Sequence, residues 1–324
     1  MASLNGTDDL SVPLTPLERE GLAWVELFLT GKATRADLSA LAEWRHQSKA
    51  HGDAFAAAVK VHKYVAEYAV SEKDHFTPSF LERASTRRSA VLGMAAVGIV
   101  GYSAMKPPFG LWPSYAELAC DYRTATGEQR KIALSADVSI AMNTGSSVSL
   151  PSGPHGVGID LIKGEIAVSA RREFSKPFTV RAGTTRILAN QGGFNLRYDE
   201  RGTCVTCLEG RVEIEKAGQR LTLVSRQQVR TVEGDFSRPI TVDPEAATAW
   251  QRGFIIFHDA ALETVVAEIN RYRPGRVVIA NSSLARDRFS GEFRIERLED
   301  ALHQIARVTN ASATKLPGGV VVLS

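Results

Sequence analysis

Cysteine is scarce: the 324 residues hold three, Cys120, Cys204 and Cys207. The last two stand in T-C-V-T-C, and residues three apart on a strand point to opposite faces. The pair is therefore badly placed for a local disulfide or a shared metal, and two small apolar residues in a β-rich region is the plainer reading beside a redox pair. The seven histidines show neither H-E-x-x-H nor a two-cysteine, two-histidine spacing. No long block of Lys and Arg with interleaved aromatics occurs, and 39 basic against 36 acidic residues leave a formal charge of only +3, so a direct nucleic-acid footprint is not supported. The N-terminus, MASLNGTDDLSVPL, lacks a basic stretch followed by an apolar one, so no secretory signal stands at the usual place. Whatever precedes residue 87 is expected to begin in the cytoplasm. G-x-S-x-G and a phosphate-cradling glycine loop are missing too, and Asp8-Asp9, Glu43 and Glu165 read as ordinary solvated or turn carboxylates. An enzyme is not expected, nor a cofactor or metal.

What is present is an ordinary globular balance, 44% hydrophobic and 23% charged, with length for two or three domains. Thr15-Pro16-Leu17-Glu18 is a capping box with proline at the first helical position, followed by Leu22, Val25 and Leu29 at helical spacing. Thr34 with Asp37 starts a second helix carrying Leu38, Leu41 and Trp44. His51-Gly52-Asp53 is expected to open a third, with Phe55, Val59, His62 and Val65 or Ala66 along one face. From Ser89 to Met105 no charge occurs for 17 residues, a helix of about 25 Å, a little short of a hydrocarbon core of about 30 Å. Lys73, Arg83, Arg87 and Arg88 precede this run and Lys106 and Arg123 follow it, a bias that keeps the N-terminus inside. Past Pro107-Pro108 the texture changes to alternating Val, Ile, Leu and Thr broken by Gly, Asn and Asp, which predicts a stacked or rolled β domain over about residues 120–235. After Pro244, a strand at 254–257, a helix from Leu262 to Tyr272, strands at 276–280 and around FSGEF, the helix LEDALHQIARV and a final VVVLS make a β-α-β-β-α-β pattern.

The order of these parts, with Trp24, Trp44, Ser48, His51, Ala54 and Phe55 in the first third, Thr124, Gly127, Glu128 and Arg130 after the apolar run, then Gly164-Glu165, Pro177-Phe178 and Gly210-Arg211-Val212, resembles the ferric-citrate-regulator (FecR) family of single-pass anti-sigma factors. Ala23 directly precedes Trp24, where the family has A-x-W. The last 75 or so residues resemble the short domain shared by secretins and TonB-dependent receptors, through LETVVAEINRY and Ser290-Gly291-Glu292-Phe293. The resemblance implies a multidomain chain: a small all-α cytoplasmic domain (1–80), a single transmembrane helix (81–106), an all-β, solenoid or roll-like periplasmic domain (107–240) and an α+β C-terminal periplasmic domain (245–324). It implies an inner-membrane protein that holds an extracytoplasmic-function sigma factor and relays a signal from the signalling domain of a TonB-dependent outer-membrane receptor, in control of iron-siderophore uptake, with release by site-specific proteases.

On that reading Trp24, Leu27, Phe28, Leu38, Leu41, Trp44 and Phe55 meet the sigma factor, although each alone also reads as the core of a small bundle. Phe254, Phe257, Leu262, Tyr272 and Phe293 meet the receptor domain. Arg87 and Arg88 act in membrane insertion, either as a twin-arginine export signal placed internally or only as positive-inside anchors. A structural or secretin-associated envelope protein is the rival reading. Part of the family self-cleaves at a Gly-Thr bond in an L-G-T-x-F element; here the element reads Asn190-Gln191-Gly192-Gly193-Phe194. With no hydroxyl at 192 there is no nucleophile for the N-to-O shift, and no autoproteolysis is expected at 191–192.

Overall fold

The computed structural model describes residues 15–30, 33–68, 117, 119–150, 158–171, 177–232, 235–316 and 319–324. Three helices open it: α1 (Pro16–Leu29), α2 (Arg35–His46) and α3 (Lys49–Tyr68). The first two begin as their sequences predict. Thr15 and Thr34 each accept the backbone N–H three residues on, while Glu18 and Asp37 reach back to the cap backbone, so two orphan donors are satisfied at each start. The third helix begins earlier than predicted, at Lys49. Ser48 sets that start: its Oγ accepts the His51 N–H at 3.4 Å and lies 2.8 Å from His51 Nδ1. Val25, Phe28, Leu41, Trp44, Ala54, Phe55 and Ala58 form the core between the three helices.

Among the described residues thirteen strands join in the next unit: β1 (Tyr122–Arg123), β2 (Arg130–Ala133), β3 (Val138–Met142), β4 (Ser147–Ser149), β5 (Gly158–Ala170), β6 (Phe178–Ala182), β7 (Thr185–Ala189), β8 (Gly192–Asp199), β9 (Gly202–Lys216), β10 (Gln219–Val224), β11 (Gln227–Val232), β12 (Asp235–Phe236) and β13 (Ile240–Thr241). Two long strands serve both layers of this roll. The first half of β5 pairs with β4 and, in parallel, with β6, and its second half with β3 and β8. Likewise β9 pairs first with β8 and β11, then with β7 and β10. Each bends at a glycine with positive φ, Gly164 (+99°) and Gly210 (+76°), which is how a strand turns a corner between sheets. At Gly164 a Cβ would stand 2.4 Å from Ser146 Oγ and 2.5 Å from its Cα. Ser146 Oγ uses that closeness: it accepts the Glu165 N–H at 2.9 Å and donates to the Glu165 carbonyl at 3.0 Å.

Strict alternation fills the roll. Phe178, Val180 and Ala182 of β6 and Ile187 and Ala189 of β7 point in, and Arg181 and Arg186 point out. Phe178, Phe194, Met142, Ile187, Leu196 and Ile214 are fully buried, each worth roughly 1.5–3 kcal/mol relative to exposure.

The bridging segment carries α4 (Pro244–Thr248) and a 3₁₀ turn, Ala249–Arg252. The last unit contains β14 (Phe254–Ala261), α5 (Leu262–Tyr272), β15 (Val277–Ile279), α6 (Ser282–Arg286), β16 (Arg288–Arg294), α7 (Leu298–Val308), β17 (Ala313–Leu316) and β18 (Val320–Leu323). The predicted order is present, with one strand more, β17, and the strands divide into an antiparallel β14–β16 ribbon and a β15–β18–β17 sheet whose first pair is parallel. Period-2 patterning missed β17 because all four of its residues are exposed.

No described helix is long and apolar enough to cross a membrane. The run at 89–105, on which the transmembrane helix was predicted, and the Arg87-Arg88 pair lie outside the described residues.

Candidate functional site

The predicted sigma-binding residues divide by burial. Phe28, Leu41, Trp44 and Phe55 are interior, each 9% exposed or less. Trp44 donates its indole N–H to Glu20 Oε2 at 2.8 Å and meets His51 edge-on at 4.9 Å. These four hold the helices together, as the core reading allowed. Trp24, Leu27 and Leu38 pack against that core while remaining partly open; Trp24 stacks on Phe28 with ring centroids 6.4 Å apart. The module also touches the roll: Thr126 N–H donates to Thr30 O at 3.0 Å, and Arg123 Nη1 to Ala33 O at 2.9 Å.

The residues predicted to meet a receptor domain are mostly interior. Phe257, Leu262, Tyr272 and Phe293 belong to the core of the last unit, where Phe289 stacks on Phe293 at 5.6 Å. Phe254 is partly buried, with the Arg294 guanidinium 5.5 Å above its ring. It lines a groove of about 550 Å³ between roll and last unit, with Ile256, Glu268, Asn195, Cys204 and Arg230.

Under this groove lies a polar junction that sequence reasoning missed. Glu165, read as a solvated carboxylate, is 6% exposed. Its Oε1 accepts from Asn195 Nδ2 at 2.7 Å; its Oε2 accepts from Asn143 Nδ2 at 2.8 Å and from Arg271 Nη2 at 2.7 Å. Arg271, on α5, also pairs with Glu268 one turn back, and Glu268 accepts Arg197 Nη1 of the roll at 2.8 Å. Arg197 in turn binds Asp199 at 2.9 Å. Signs alternate along Asp199, Arg197, Glu268, Arg271 and Glu165, so each charge faces its opposite. Burial raises the Glu268 carboxyl, but Arg271 and Arg197 outweigh it and hold the group below its ordinary value. Burial, then the Glu268 and Glu165 carboxylates, push the Tyr272 phenol well above the usual range; its hydroxyl accepts from Asn143 Nδ2 at 2.7 Å. The signal available in the sequence was Glu165 inside the apolar alternation L-I-K-G-E-I-A-V, straight after a corner glycine.

The other motif residues prove architectural. Thr124, 1% exposed, donates to Asn143 O at 2.6 Å and accepts the Ser146 N–H, and Glu128 accepts the Ala125 N–H across the turn at Gly127. Cys207 faces the roll core, where burial pushes its thiol up to about 11, and Cys204 faces the groove on the other side. Burial also raises the Cys204 thiol, against the opposing pull of Arg230. Opposite faces are what the T-C-V-T-C spacing predicts.

Comparison with solved structures places this architecture. Two crystal structures of a candidate anti-sigma factor from Parabacteroides distasonis share the fold. One aligns with a TM-score of 0.55 at 20% identity, over 63% of this chain and 97% of the other; the second with 0.54 at 21%, over 62% and 96%. No curated protein matches. The family model for FecR protein matches residues 120–213, and that for the FecR C-terminal region matches residues 254–322. The chain belongs to the FecR family.

Proposed function

We propose that the protein is a single-pass anti-sigma factor of the bacterial inner membrane. The helical module, residues 1–80, holds an extracytoplasmic-function sigma factor through the open surface that includes Trp24, Leu27 and Leu38. The roll and the last unit lie in the periplasm and receive the signal domain of a TonB-dependent receptor, in control of iron-siderophore uptake, and regulated proteolysis frees the module. No bond chemistry is required of this chain, since inhibition is occlusion of surfaces the sigma factor needs. Membership of the FecR family carries this reading, and the likeness in fold to a protein described as a candidate anti-sigma factor supports it. The deciding experiment is capture of sigma factors by residues 1–80. Retention of one of them, reduced by Trp24→Ala and Leu27→Asp, is the expected result, and failure with every sigma factor of the cell refutes the proposal.

A span between residues 80 and 107 puts the helical module and the roll on opposite sides of the membrane. The 30–126 and 33–123 hydrogen bonds cannot coexist with it. A photo-crosslinking residue at position 123 in intact cells discriminates: the proposed topology requires no adduct with residues 30–36, and such an adduct sinks it.

A further inference from the structure

The roll and the last unit are matched by separate family models, yet their meeting surface has the character of a protein interior. Ala141 of β3 and Ala167 of β5 belong to the same buried cluster as Trp250, Leu262 and Tyr272. Small side chains here let the last unit come close. Both cross-unit ion pairs, Glu165 with Arg271 and Arg197 with Glu268, are reinforced by neutral hydrogen bonds across the same surface. Asn143 Nδ2 donates to Tyr272, Thr144 Oγ1 donates to the Arg271 carbonyl at 2.9 Å, and Trp250 Nε1 donates to Asn195 Oδ1 at 3.3 Å. The bridging segment is itself docked, since Val242 N–H donates to Arg226 O at 2.8 Å and Trp250 is 4% exposed. It buttresses the joint and leaves no free hinge.

We infer that the roll and the last unit form one rigid body, locked through Arg271 and Glu165, so that a partner gripping the last unit displaces the roll with it. While the joint is closed, a charge that loses its partner stays buried and is strongly unfavourable, so the two cross-unit pairs, Glu165 with Arg271 and Arg197 with Glu268, are kept together or lost together. Mechanical coupling then needs no conformational change inside either unit, only a force or a binding event on one of them.

The test is carried out on the full chain in detergent, with spin labels at Thr222 in the roll and His303 on α7, both exposed. Pulsed electron-electron resonance is expected to give one narrow distance distribution for the native sequence, and a broad one for Arg271→Met. A broad distribution in the native sequence overturns the inference, as does an Arg271→Met chain as narrow as the native one. If Arg271→Met does not fold, the Glu165→Gln/Arg271→Met pair, which leaves no stranded charge, replaces it. A narrow distribution there shows that the remaining contacts hold the units without this pair and refutes the lock; a broad one supports it. Should this pair also fail to fold, joint loss of both units supports the single body and loss of the last unit alone overturns it.

Discussion

Replacing Gly192 tests how the roll treats the position set against the threonine of the L-G-T-x-F element. Gly192 has φ +105° and pairs with Gly210 across β8 and β9. A Cβ added there would stand 2.2 Å from the Glu209 carbonyl oxygen and 2.9 Å from its carbon, where real Cβ atoms keep at least 3.0 Å. Strand β9 would therefore have to retreat by roughly 0.8 Å. A side chain forced into so sparse a backbone region costs about 1–3 kcal/mol, and overpacking a fully paired site about 1–3 kcal/mol more. Against a total stability of about 5–15 kcal/mol, Gly192→Ala should lower the calorimetric melting of the roll by on the order of 10 °C. Gly218→Ala is the control: its φ is +80° but nothing lies within 4 Å of the added Cβ, so only the backbone penalty applies and the drop should be smaller. Gly192→Thr supplies the missing hydroxyl but in a displaced strand, and should melt early without splitting on a denaturing gel. A Gly192→Ala chain as stable as the native one refutes the steric argument. A Gly192→Thr chain that divides between residues 191 and 192 without added protease refutes the view that the local backbone, as well as the absent nucleophile, forbids the shift.

Acid should open the junction between roll and last unit. Glu268 is held below its ordinary value, so its contribution is complete above about 4.5 and lost as pH falls through the folded value. The distance distribution between roll and last unit should be unchanged from about pH 7 to 5 and broaden below about 4; opening already at pH 6 would assign the effect to another group. Thr34→Ala removes an exposed N-cap that accepts the Asp37 N–H at 3.3 Å and bonds its carboxylate at 2.7 Å, and should cost the helical module about 1 kcal/mol in urea titration; an unchanged midpoint contradicts the capping account. Phe28→Ala, at 3% exposure, should destabilise the same module by about 3–5 kcal/mol. Trp24→Ala should cost clearly less, and equal losses would show that Trp24 is as fully enclosed as Phe28.

Local rules carried far in this chain because several elements announce themselves locally. The two capping boxes start α1 and α2 where Thr15 and Thr34 stand, and β6 and β7 bury every second residue as their alternation requires. The αβ order of the last unit follows from Leu262, Val265, Val266 and Ile269 at helical spacing, all buried. These are statements about one segment and its own period, and the family resemblance extended them to the whole order of parts. What the sequence left open is everything set by which surfaces meet. Ser48 takes the cap of α3 through a contact to His51, three residues on, although His51-Gly52-Asp53 carries the stronger local turn signal. Phe28 and Trp24 look alike on a helical wheel, and only the packing of three helices decides that one is enclosed and the other partly open. Glu165 looks solvated until the end of β3, β8 and α5 bring Asn143 (just past the strand), Asn195 and Arg271 around it from 22, 30 and 106 residues away. A carboxylate's environment is a property of its neighbours in space, and no period along the chain encodes them.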